Sequence, residues 1–158
     1  MDGRLEPAPR ELIARTWADI WGGEPIISVR GRHAVADVEG LAWTEDGEAR
    51  GLVTFAVDGD EGEIVSIDAF EEGRHVGGRL IEAAEAEMRR RGGKTAWVTT
   101  TNDNLRAFGF YVRRGYRLVR VELDGVERVR AAKPDIPAVG NDGIPLRDMW
   151  ELAKPLRH

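Results

Sequence analysis

The stretch from Glu63 to Tyr116 constrains the fold most, because its apolar spacing changes period several times within about fifty residues. It reads strand, glycine-rich turn, helix, strand, helix. In the first segment Val65, Ile67 and Ala69 recur at period two, with Ile64 and Phe70 on the other face, as expected of a strand buried on both sides. Glu71-Glu72-Gly73-Arg74-His75-Val76-Gly77-Gly78 then forms a turn. Beyond it Leu80, Ile81, Ala84 and Met88 share one helical face. Glu82, Glu85 and Glu87 precede Arg89, Arg90 and Arg91, an order that suits the helix dipole. Gly92-Gly93 is a stop signal.

A strand that feeds a glycine turn and then a helix start can hold an anion. The first N–H groups of a helix lack internal partners and point outward, and small residues let a phosphate approach the main chain. Any strand-turn-helix unit can carry two glycines, so the next elements matter. Thr95 to Thr101 reads as a second strand, and Asn102-Asp103-Asn104 can cap a following helix that carries Ala107, Phe110 and Tyr111 and ends in Gly115-Tyr116.

Over roughly Glu63 to Val119 these residues resemble the GNAT superfamily of N-acetyltransferases, in particular its small bacterial members. The family pattern is a strand ending in Val, then Arg/Gln-x-x-Gly-x-Gly/Ala-x-x-Leu, then Asn-x-x-Ala-x-x-Phe/Leu-Tyr-x-x-x-Gly-Phe. Asn104, Ala107, Phe110, Tyr111, Gly115 and Tyr116 match its second half. In the first half Ile67 stands at the strand-ending Val, Gly77 at the last Gly and Leu80 at the Leu. Glu72 stands where Arg or Gln is usual, and His75 where the first Gly is usual. A side chain at that Gly position requires either negative φ or a tolerated left-handed backbone.

The resemblance implies a single α/β domain over residues 1–158, with a mixed, mainly antiparallel central sheet and helices on both faces. It implies acetyl-CoA as co-substrate, with no metal. The pantetheine arm would lie against the edge of Ile67, Asp68 and Ala69, and the pyrophosphate against Gly73, Arg74, His75, Val76, Gly77 and Gly78, with Asn104 completing the cofactor-binding set. Tyr111 would serve the leaving thiolate. A free tyrosine (pKa about 10) is a weaker acid than a thiol (about 8.5), so full proton transfer would be uphill by about 2 kcal/mol, and hydrogen bonding to the thiolate is the alternative role. Members that acetylate protein N-terminal amines carry a Glu five residues before the helix Asn; here that position is Thr99, which cannot act as a base. Histone-acetylating members place a Glu near the start of the central strand, which matches Glu61, with Glu63 two residues on. Asp68 is a further candidate base.

The rest of the chain narrows the partner. The sequence has 158 residues and a net charge of −5, which argues against nucleic acid and mildly favours a cationic amine. There is no cysteine, so neither a disulfide nor a cysteine acyl-enzyme is available, and direct transfer in a ternary complex is expected. His33, His75 and His158 are too scattered for a metal motif. No apolar run approaches the ~20 residues that span a bilayer, and the polar, proline-containing N-terminus is unlike a signal peptide; a cytoplasmic protein without a membrane partner is expected. Gly92-Gly93-Lys94-Thr95 ends like a phosphate-binding loop, but Met88 stands where the first Gly belongs and helix precedes strand.

Pro9 to Trp21 reads as an amphipathic helix whose Trp17 and Trp21 belong to the core. Ile26 to Val29 reads as a short strand, and Gly31 to Val38 is ambiguous. Gly40–Thr44 and Gly51–Val57 form a hairpin around Glu45-Asp46-Gly47-Glu48, and Asp58 to Gly62 forms a second turn. Tyr116–Glu122 is a strand, Val126–Lys133 a short helix, and Arg147–Lys154 the last strand. Between the last two lies a long loop, Pro134 to Pro145, expected to border the acceptor site or to pack against a partner subunit as a homodimer. The expected activity is transfer of an acetyl group to an amine of a small molecule or peptide. A transferase for a larger acyl-CoA and an acyl-CoA-binding sensor without turnover are the alternatives.

Overall fold

The computed structural model describes residues 3–71 and 75–157. In chain order the elements are β1 (Gly3–Pro7), α1 (Arg10–Trp21), β2 (Ile26–Ile27), β3 (Arg32–His33), β4 (Glu39–Glu45), β5 (Glu48–Asp58), β6 (Glu61–Ala69), α2 (Val76–Arg90), β7 (Thr95–Thr101), α3 (Leu105–Arg113), β8 (Arg117–Glu122), α4 (Val126–Ala132) and β9 (Met149–Pro155). They gather into two compact units. One holds the N-terminal residues through Ile26, His33–Ala96 and the end from Pro155; the other holds Ile27–Arg32 and Trp97–Lys154.

In the first unit β1, β4, β5 and β6 lie in that order, all antiparallel. Asp46 and Gly47, both at positive φ, turn β4 into β5, and Gly59-Asp60 turns β5 into β6. Both strands flanking Gly59-Asp60 run further into that turn than the alternation predicts. The register of β5 on β6 decides what faces where. Thr54 pairs with Ser66 but Phe55 pairs with Ile64, so Val65 is an extra residue, a β-bulge.

The bulge changes the faces expected from simple alternation. Ile64, Ile67 and Ala69 lie on the side covered by α2. Val65, with Glu63, Ser66 and Asp68, lies on the side covered by α1. Val65 and Leu52 there join Ile13, Trp17, Ile26 and Val38 in one buried cluster. The Trp17 indole N–H donates to Ser66 Oγ at 3.1 Å, and Ser66 Oγ lies 2.6 Å from Thr54 Oγ1, so this buried polar row is satisfied internally. On the other side α2 sits close because two strand residues lack Cβ atoms. A Cβ on Gly51 would meet Val76 and Leu80, and one on Gly62 would meet Met88 Sδ at 2.5 Å. Each helix thus buries its apolar stripe on its own side of the sheet, as the mixed α/β class requires.

In α2 Glu82, Glu85 and Glu87 lie beyond the first turn, and Glu85 and Glu87 pair with the arginines that follow. Glu85, 3% exposed, faces Arg89, and Glu87 bonds Arg90 and Arg91. Gly92 at positive φ ends the helix, Gly93 N–H returning to Met88 O at 2.8 Å.

In the second unit β7, β9 and β8 lie in that order, β8 antiparallel to β9. Phe108 of α3 meets Trp150 of β9 edge to face at 5.2 Å. The long segment after α4 is ordered by its own contacts. Val139 bridges to Pro145, and Arg130 donates to the carbonyls of Pro137 and Leu146 at 3.0 and 2.8 Å. Among the described residues no helix is long and apolar enough to cross a membrane.

Candidate active site

In the first unit the candidate site is strand β6 and the start of α2. Glu61 opens β6, half-buried and paired with Asp58 across the turn. Glu63 is buried, and its Oε1 lies 3.0 Å from Nε2 of His33 on β3. Its Oε2 is buried with no hydrogen-bond partner among the described residues. An orphaned carboxylate oxygen costs on the order of 1–3 kcal/mol or more, so its retention calls for a reason.

Asp68 lies further along the same face. Burial pushes its carboxyl up to about 6, against the pull of the Trp21 indole N–H, which donates to Oδ2 at 2.9 Å. Trp17 is the core residue expected of it, with no exposed surface; Trp21 is 37% exposed and serves Asp68 instead. Ile67 is half-buried, and Ala69 is exposed at the end of the strand. The Phe70 N–H is spent on Arg50 O at 2.9 Å.

Of the turn residues expected to cradle a pyrophosphate, Gly73 and Arg74, with Glu72, lie outside the described residues. His75 adopts the left-handed backbone, φ 57°, the tolerated alternative to glycine at this position. It supplies no side-chain cap to α2, and the first turn of that helix contains no acidic residue. Val76 points its side chain into the core, while Gly77 and Gly78 are half-buried. The N-terminus of α2 therefore offers main-chain N–H groups and small residues, with no carboxylate of its own first turn to compete for an anion.

In the second unit the Asn102-Asp103-Asn104 run, expected as a cap, divides three tasks. Asn104 Oδ1 accepts the Ala107 N–H at 3.0 Å and caps α3. Asn102 Oδ1 accepts the N–H groups of Arg147 and Asp148, while its Nδ2 donates to Pro145 O. Asp103, 4% exposed, accepts from both N–H and Nδ2 of Asn141, each at 2.9 Å. Tyr111 is buried in α3, edge-on to Tyr116 at 5.7 Å, and its carbonyl accepts the Tyr116 N–H after the chain turns at Gly115, φ 96°. Thr99 Oγ1 accepts the Val29 N–H at 3.0 Å. Beside it the Arg30 guanidinium stacks 4.2 Å from the Trp97 ring and lies 3.6 Å from Glu151.

Sequence reasoning missed His33, Arg30 and the loop-holding roles of Asn102 and Asp103. His33 carried a weak signal, its place in an alternating segment, but nothing marked its partner thirty residues away. Among the described residues no group of three or more His, Asp or Glu side chains gathers as a metal site.

Comparison with known proteins bears on the family and the fold. Residues 7–116 match the model of the Acetyltransferase (GNAT) family. The uncharacterized protein YxbD of Bacillus subtilis (strain 168) is 35% identical over 150 residues, 94% of each chain. A GNAT family acetyltransferase from Elizabethkingia anophelis, solved with acetyl-CoA bound, superposes with a TM-score of 0.75 at 16% identity, covering 98% of both chains. A Bacillus subtilis acetyltransferase in complex with CoA superposes with a TM-score of 0.75 at 20% identity, covering 99% of this chain and 100% of that one. Family match, relative and fold agree: this chain belongs to the GNAT family of acetyltransferases.

Proposed function

We propose that residues 1–158 act as one N-acetyltransferase domain that moves an acetyl group from acetyl-CoA directly to an amine of a small molecule or peptide. The observation that carries the reading is the bare N-terminus of α2 in a chain of this family. It has small residues at Gly77 and Gly78, no acid in its first turn, and a left-handed His75 where the backbone turns. α3, by contrast, is closed by its own Asn104.

Acetyl-CoA supplies the activated thioester. The N–H groups of residues 75–78 are assigned to the pyrophosphate, together with Gly73 and Arg74, which lie outside the described residues. Because Phe70 N–H points to β5, strand alternation sends the N–H groups of Ala69 and Ile67 to the opposite edge. That supports the edge of Ile67–Ala69 as the place where the pantetheine arm is held and where a developing oxyanion finds a donor. Tyr111 is assigned to the departing thiolate, and Glu61 and Glu63 to handling the amine's proton. The absence of cysteine leaves direct transfer as the simplest route.

Calorimetry with acetyl-CoA, followed by an amine-dependent thiol-release assay over amines, amino acids and peptides, tests the reading. Binding plus thiol release with at least one amine is expected. Binding without release would make the chain an acyl-CoA-binding protein, and preference for a longer thioester would reassign the acyl group. Gly77→Glu, which puts a side chain and a negative charge at the cradle, should weaken acetyl-CoA binding at least tenfold, about 1.4 kcal/mol.

A further inference from the structure

Three apolar side chains at the edge of the first unit's core converge on one cavity. Leu12 and Ile20 lie on one flank of α1, and Phe70 follows the end of β6. Ile20 is 54% exposed and Phe70 37%. Singly, exposed apolar residues are ordinary. Here, with Ala49 of β5, they wall a cavity of about 530 Å³, within the ~300–1,000 Å³ range of small-molecule sites. Its frame is held from both sides. Trp17 and Trp21 tie α1 to Ser66 and Asp68 of β6, and the Phe70 N–H is bonded to Arg50 O of β5.

The same cavity carries opposite charges that the fold does not use. Arg15 and Asp19 stand one helical turn apart in its wall. Residues at this spacing are close enough to pair. Yet among the described residues neither side chain forms an ion pair or a hydrogen bond. Between them in the wall is Thr16, 5% exposed, whose hydroxyl has no hydrogen-bond partner among the described residues. A buried hydroxyl is expected to be satisfied, by the protein or by a ligand. Glu48, the other acid of the lining, is engaged by Arg50 at 3.4 Å. The Phe70 N–H points to β5, away from the edge of β6 assigned to acetyl transfer, so the cavity lies on the other side of that strand.

We infer that this cavity is a second ligand site, which takes an α-amino acid with a large apolar side chain in its zwitterionic form. The Arg15 guanidinium and the Thr16 O–H donate to the carboxylate, and Asp19 accepts from the ammonium. Leu12, Ile20 and Phe70 enclose the side chain, and an aromatic one gains further from the Phe70 ring. An unengaged cation and an unengaged anion one turn apart match the two charges of such a ligand, whereas a simple cation or anion would leave one of them unmatched. The site uses no residue assigned to acetyl-CoA and does not rest on the N-acetyltransferase reading.

Calorimetry on the whole chain at pH 7, without acetyl-CoA and with L-phenylalanine as the probe, tests this. Saturable binding is expected. L-Phenylalaninol, which lacks the carboxylate, and N-acetyl-L-phenylalanine, which lacks the ammonium, should each bind at least about tenfold more weakly. Arg15→Gln and Asp19→Asn change exposed side chains, and each should weaken L-phenylalanine binding at least about tenfold. Thr16→Val keeps the shape of the wall and should weaken binding severalfold without lowering the melting temperature. No saturable binding of L-phenylalanine, equal affinity for all three compounds, or unchanged affinity in both Arg15→Gln and Asp19→Asn would overturn the site. None of these outcomes touches the acetyl-transfer reading, which stands or falls on acetyl-CoA binding and thiol release.

Discussion

The Trp21 indole N–H donates to Asp68 Oδ2 at 2.9 Å, yet burial still holds that carboxyl at about 6, above its ordinary 3.8. An aspartate raised in the folded state favours folding only while it is protonated. Its contribution is present in full below pH 3.8, falls as the pH rises toward 6, and stays lost above that. Asp68→Asn keeps an oxygen for Trp21 and removes the charge. The variant should melt above the wild type at pH 7, by roughly 2–4 °C for each kcal/mol relieved, and with it at pH 4. Thermal melts at the two pH values check this, and an equal difference at both would show that the charge of Asp68 is not the cause.

Gly140 offers a steric test of the long loop. A Cβ there would lie 2.1 Å from Asp103 Oδ2, the oxygen that accepts both N–H groups of Asn141. Gly140→Ala should therefore break those bonds and cost about 1–3 kcal/mol. Hydrogen exchange should rise in residues 137–146 while α2 keeps its protection. Unchanged exchange in the loop would mean that Asp103 gives way without releasing Asn141.

The elements whose ends are marked by local chemistry were legible in the sequence. Gly22 and Gly92 end α1 and α2, and Asn104 opens α3, each through a cap that one residue type supplies. What the sequence hid depends on contacts far along the chain. The extra residue at Val65 leaves no mark in the alternation of Glu63 to Ala69, yet it puts Val65 on the α1 side and Ile64 on the α2 side. β1 carries one apolar residue, Leu5, and a proline, so nothing in GRLEP announces a strand; it exists because β4 offers it a partner. The last strand starts at Met149 rather than Arg147 because Asn102 takes the Arg147 and Asp148 N–H groups. The same limit applied to the site. Glu63 could be chosen by its place near the start of the strand, but His33 became visible only when the fold brought it within 3.0 Å.

His75 carries a side chain at φ 57°, where glycine is unstrained. A non-glycine residue pays on the order of 1 kcal/mol for that conformation. His75→Gly removes this strain and opens the approach to the helix start, at the cost of a more flexible unfolded chain. Acetyl-CoA affinity should stay level or tighten, and calorimetry reads it directly. A tenfold loss would show that the imidazole itself contacts the ligand.

Tyr111→Phe tests the assignment to the leaving group. The tyrosine ring is 5% exposed and packs edge-on against Tyr116 and Phe110, contacts that phenylalanine keeps. Only the hydroxyl is lost. If that hydroxyl acts in the transition state, kcat should fall about 10²-fold or more. The KM for acetyl-CoA should barely move, because ground-state binding rests on the α2 N-terminus and the edge of β6. Stability should change by no more than about 1 kcal/mol, the worth of one hydrogen bond. Steady-state kinetics and a thermal melt on the same preparation decide among the outcomes. Full kcat would make Tyr111 a packing residue beneath α3 and would move the thiolate's stabilisation elsewhere. A fall in kcat with the melting temperature held would place the hydroxyl at the sulfur, since removing packing alone cannot slow the chemical step while leaving both fold and KM in place.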